Sequence, residues 1–210
     1  MGLSVSTHFL ADMLEADPEG ADWIRAQLAI MNELLAARGL SRHNEPERFG
    51  EAVARPNAGS FPYSFLHYLR RAFARARRGM PVNPVKRSED PTRDAMVEAV
   101  ASQGNVHLLS HSDAEGFYVP SAFDRVILDV DERLAGGMLG STQRLLAELI
   151  EVAPAIGISL DGGVLSDAEA AKLAAEEEDS TPLWRERMVW LTLFESARVS
   201  LANGTMIVFQ

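Results

Sequence analysis

The sequence predicts an α+β protein that is predominantly α-helical: about seven helices around a central apolar helix at 181–202, with a small mixed or antiparallel sheet built from 106–128 and 205–209. Three observations carry this. Apolar side chains recur at spacings of three and four through the first hundred residues. Near Gly104 the pattern changes to short β-favouring runs. From Thr181 to Ala202 almost no polar face remains, as in a helix covered on most sides.

In chain order, Phe9, Leu10, Met13 and Leu14 give a short apolar face that Asp17-Pro18-Glu19-Gly20 interrupts. Trp23, Ile24, Leu28, Met31, Leu34 and Leu35 form the next, and Gly39 follows Arg38 as a helix stop. A weaker helix is expected near Asn44, with Pro46 in its first turn and Phe49 and Val53 inward, before a loop at 55–62. Phe65, Leu66, Leu69, Ala72, Phe73 and Ala76 line a helix that Gly79 ends, and prolines 81 and 84 prevent its continuation. Asp90-Pro91 opens a helix that stops at Gly104. Residues 106–109, 117–119 and 126–128 read as strands, and Ala135 to Gly140 as a glycine-rich loop. Ser141 caps a helix bearing Leu145, Leu149 and Val152, and Ser166-Asp167-Ala168-Glu169 is a capping box. After the central helix, Asn203-Gly204 leads into a last strand expected to join the mid-chain sheet. That long-range pairing argues for one domain over 1–210, with 80–89 as the sole internal boundary, between a helical part (1–79) and an α+β part (90–210).

Composition narrows the function classes. The 210 residues include no cysteine, which excludes disulfides, thiolate catalysis and cysteine-bound zinc or iron-sulfur centres, and points to a reducing, cytoplasmic setting. Asp12, Glu15 and Asp17 break the first apolar run, so no signal peptide is read there, and no stretch is apolar enough for a membrane span. No cofactor motif occurs.

The net charge of -10 is unevenly spread. Arg70, Arg71, Arg75, Arg77, Arg78, Lys86 and Arg87 form a run of seven cations without one acid, leaving thirteen cations against thirty acids, or -17, elsewhere. On a helix the five arginines up to Arg78 share an arc of about 160°, with His67 in the same arc. His67, Arg70, Arg71, Arg75, Arg77 and Arg78 are therefore the expected partner- or ligand-binding set; the alternative is a solvated face answered by the protein's own acids. A surround of -17 opposes the approach of duplex DNA.

Two further groups are candidate catalytic positions. His107, His111 and Asp113, with Ser112 and Glu115, supply nitrogen and carboxylate ligands suited to a metal, but on a strand His107 and His111 stand about 13 Å apart. No metal site is read from them. Val126-Ile127-Leu128-Asp129-Val130-Asp131 resembles, in its last four residues, the nucleophile motif of haloacid dehalogenase-type phosphatases. That resemblance implies attack on phosphorus by Asp129 with Asp131 as general acid/base, and the chain departs from the motif at Glu132 and Arg133. Gly136 to Thr142 resembles a phosphate loop but lacks its lysine.

The expectation from these residues is a non-enzymatic protein-binding module, inhibitor-like in the manner of bacterial immunity proteins, which share its charge and size. The expected partner is a protein or a second copy of the chain, with a small anionic ligand as a further option and neither duplex nucleic acid nor membrane. The alternative is a small hydrolase or phosphate-ligand-binding enzyme using Asp129 and Asp131, or His107, His111 and Asp113.

Overall fold

The computed structural model describes residues 2–86 and 88–210. Its elements are β1 (Gly2–Ser6), α1 (Phe9–Ala16), α2 (Pro18–Ala37), β2 (Ser60–Pro62), α3 (Tyr63–Arg77), α4 (Ala95–Ala101), α5 (His107–Ser110), β3 (Gly116–Val119), β4 (Ile127–Leu128), β5 (Met138–Ser141), α6 (Thr142–Val152), α7 (Asp167–Ala174), α8 (Trp184–Asn203) and β6 (Ile207–Phe209). The fold is α+β and mainly helical, around a mixed six-stranded sheet of order β2-β1-β6-β3-β5-β4. Only the β3–β5 pair is parallel.

Alternation along the central strands assigns the two faces. Phe117, Val119, Leu139 and Val208 face α1 and α2, meeting Leu10, Ile24, Met31 and Leu35. Tyr118, Ile207 and Phe209 face the opposite way, into a larger core with Leu66, Leu69 and Phe73 of α3, Leu145 and Leu149 of α6, and Trp190 and Phe194 of α8. With both faces covered, β3 and β6 are buried along their whole length. Helix α8 is the central helix, and its buried indole Trp190 donates to Leu149 O at 2.7 Å.

Four local expectations are corrected. Residues 106–109 are not a strand: the buried Glu148 carboxylate accepts the backbone N–H of His107 (2.9 Å) and Leu108 (2.7 Å), turning the run into the single turn α5. No helix follows Asn44, because His43 spends its backbone N–H and C=O on the Asn32 side chain while its ring binds Glu45. The glycine-rich 138–140 segment is strand β5, where Gly140 is needed because a Cβ there would lie 2.2 Å from the Tyr118 ring. Asp90 caps only a short 3-10 turn at Pro91–Arg93, and Asp94 starts α4 by accepting from Met96 N at 3.0 Å. Strands β1 and β2 were outside the expected sheet, whose remaining members at 117–119, 127–128 and 207–209 are present.

No described helix is long and apolar enough to cross a membrane.

Candidate functional site

The arginines of α3 are directed largely into this chain's own loops. Arg70 is buried, and its guanidinium donates to Leu108 O (2.7 Å), His111 O (2.6 Å) and Ser112 O (3.3 Å). Arg71 and Arg75 both hold Asp94 at 3.0 Å and also bond Asn83 O and Pro81 O. Arg77 forks onto Glu151 at 2.9 and 2.6 Å, and the exposed Arg78 reaches Ala99 O at 3.2 Å. Lys86 lies 3.7 Å from Glu89, and Arg87 lies outside the described residues. These cations tie the 81–94 and 108–112 segments to one helix.

His67 meets Asp113 at 3.1 Å, and Asp113 is 3.9 Å from Arg70. Burial and the nearby Arg70 lower the His67 pKa against the pull of Asp113. The ring of His111 does not join them. It stacks on Tyr118 at 4.1 Å, and its nitrogens face Ser112 O and Phe117 O at 3.1 and 2.9 Å. His107 is separate again: its Nδ1 accepts the Ser141 N–H at 2.9 Å, which leaves the proton of the neutral ring on Nε2. Burial lowers both rings to about 4. Among the described residues no three His, Asp or Glu side chains gather around a point where a metal could sit.

Asp129 is occupied by a turn. Its Oδ2 accepts the backbone N–H of Leu134 (2.7 Å) and Arg133 (2.6 Å), and these bonds, with the charge of Arg133, hold its carboxyl below the usual range. Asp131 points to solvent, its side chain 79% exposed. The two do not face a common cleft.

The opposite charge distribution occurs over α1 and α2. Asp12, Glu15, Asp17, Glu19 and Asp22 occur with no Lys or Arg before Arg25. Asp12, Glu15, Asp17 and Glu19 have no ion-pair partner among the described residues, and Asp22 has only a 3.4 Å contact with the exposed Arg25. On the outward face of α2, Glu19, Asp22, Trp23, Ala26, Ala29 and Glu33 are all exposed. Beside it, Trp23, Gln27, Glu115, Glu132 and the glycines 136 and 137 line a groove of about 660 Å³. The signal of the 12–22 acids in the sequence is five carboxylates in eleven residues without one cation.

Residues 1–209 match the family model described as "Putative DNA-mimic protein", and the chain belongs to that family. Neither the curated proteins nor the solved structures contain a match to the chain. The family match overturns the expected function, both the inhibitor- or immunity-like module and the hydrolase or phosphate-ligand enzyme built on Asp129 and Asp131 or on His107, His111 and Asp113. It equally overturns the expected partners, which set duplex nucleic acid aside in favour of an unspecified protein, a second copy or a small anion. The physical error was one of sign. A surface charge that repels DNA is the charge that resembles DNA to a protein that binds it.

Proposed function

From this family membership we propose that the protein imitates the DNA backbone and binds DNA-binding proteins through its acidic face. The observation that supports the reading on this chain is the run of unpaired carboxylates at the start of the helical region. The arginines of α3 are bound to the chain's own carboxylates and carbonyls, whereas the carboxylates from Asp12 to Glu19 have no ion-pair partner among the described residues. Duplex DNA carries one charge per about 3.4 Å of each strand, and a protein that reads it places Lys and Arg against that row. On α2, Glu19 and Asp22 are separated by about 4.5 Å of helix axis, a comparable linear density.

The test is competition. Immobilised protein is expected to retain DNA-binding proteins from a native lysate, and added duplex DNA is expected to elute them. Changing Glu15, Asp17, Glu19 and Asp22 together to their amides should abolish retention. Retained proteins that duplex DNA does not elute, or retention unchanged by neutralisation, would overturn the reading.

A further inference from the structure

Trp23 is the anomaly of the acidic face. Of the three tryptophans, Trp184 and Trp190 are 5% and 0% exposed, while Trp23 is 47% exposed at the mouth of the groove. Leaving an indole in water forgoes burial that the neighbouring Ile24, fully buried, does obtain. The ring is propped at the sheet by Phe117, centroid to centroid 6.3 Å and tilted by 40°.

The groove below it is open and negative. Glu115 and Glu132 line it, and neither has an ion-pair partner among the described residues. Arg133 also borders it, but that cation is already answered by Glu33 at 2.8 Å, Asp129 at 3.6 Å and Asp131 at 4.0 Å. Gly136, at φ 75°, packs against the Glu115 backbone and Gly137 has open space where a Cβ would stand, so neither glycine puts a side chain into the groove.

We propose that this groove receives an arginine side chain of the DNA-binding partner, its guanidinium stacked on the Trp23 indole and hydrogen-bonded to Glu115 and Glu132. The proposal rests on the DNA-mimic reading and deepens it. A row of carboxylates offers any cation the same attraction, but the groove also offers a flat aromatic face beside two acceptors. A planar guanidinium uses both, stacking and donating in its own plane; a lysine ammonium is more strongly hydrated and has no plane to stack. DNA-binding proteins position arginine at phosphates, at guanine edges and in narrow minor grooves, so an imitator that captures arginine engages the group those proteins present.

Oligoarginine and oligolysine peptides of equal length serve as probes, titrated at low ionic strength into the full chain and followed by calorimetry, with tryptophan emission read as well in the wild type. Trp23 is the one tryptophan open to solvent, so the arginine peptide should alter its emission and shield it from iodide. Arginine is expected to bind about two- to fivefold more tightly than lysine. Trp23→Leu should erase that difference while leaving most of the charge attraction, Trp23→Phe should keep part of it, and Glu115→Gln with Glu132→Gln should weaken both peptides. Equal affinities for the two peptides overturn the proposal, as does a preference that survives in Trp23→Leu. Should Trp23→Leu fail to fold, the wild-type shielding decides: bound arginine peptide that leaves Trp23 fully open to iodide overturns it. Loss of the arginine preference with DNA-competed retention intact would remove the groove alone, whereas loss of DNA-competed retention would remove the mimic reading itself.

Discussion

Glu148 is buried in α6 without an ion-pair partner among the described residues, and its oxygens hold the first amides of α5. Burial pushes its carboxyl up to about 7 from 4.5, and pushes the His107 and His111 rings down to about 4 from 6.5. Between pH 4.5 and 7 the folded protein keeps a proton on Glu148 that the unfolded chain has released, so this group costs stability as pH rises through that window. The histidines work in the opposite sense: from 6.5 down to about 4 the unfolded chain takes up protons that the folded rings refuse, so stability falls with acidification. His67 is lowered in the same sense as the two rings and Glu186 raised in the same sense as Glu148, so the histidines dominate the acid side and the carboxyls the approach to neutrality. The urea midpoint is therefore expected to peak between about pH 6 and 7. Glu148→Gln should flatten the descent above that peak and steepen the acid limb. It should also cost about 1–3 kcal/mol, because an amide NH2 would face a backbone N–H that the carboxylate now accepts. Glu195 shows the same burial with a different outcome. Its desolvation is more than offset by Arg55 at 2.6 Å and Arg198 at 2.8 Å, which hold it ionised.

At the scale of elements, α3 is a helix of arginines that clamps loops. Arg70→Ala would leave the buried carbonyls of Leu108 and His111 without their donor, and a loss of about 2–3 kcal/mol in chemical denaturation is expected. Arg77→Ala removes a half-exposed pair with Glu151 and should cost less than about 1 kcal/mol. In the sheet, Gly140→Ala would drive a methyl into the Tyr118 ring and displace its hydroxyl from His107 O, a change of about 2 kcal/mol or more measured by thermal melting. Helices α2, α3, α4 and α8 were legible because their apolar residues recur at helical spacing and a glycine at positive φ follows each: Gly39, Gly79, Gly104 and Gly204. Strand β1 and the turn α5 were not. β1 gains its partners from residues about sixty and two hundred positions away, and α5 owes its amide bonds to Glu148, which no local pattern foretells. The arginine face was legible as charge, but the loops that would absorb it could not be read from the helix alone.

At the scale of the whole molecule, net charge decides behaviour in salt. Exposed carboxylates from Glu15 to Asp22 repel one another across short distances, so neutralising Glu15, Asp17, Glu19 and Asp22 should leave the melting temperature unchanged or raise it, even as partner retention is lost. The same partner binding should weaken steeply as salt rises through about 0.15 M, where the Debye length is about 8 Å. The acidic face was visible in the sequence as a list of residues; its meaning was not, because a row of unpaired carboxylates resembles any solvated surface until the arginines of α3 are seen to be engaged by the chain's own carbonyls and carboxylates. β6 lies between β1 and β3, so before residues 207–209 exist the strands form two unlinked pieces, β2 with β1 and β3 with β5 and β4. A chain emerging from the ribosome can assemble each piece separately. It cannot join the first to the second until residues 207–209 have left the ribosome, so the sheet closes only after every element from β1 to α8 has been made.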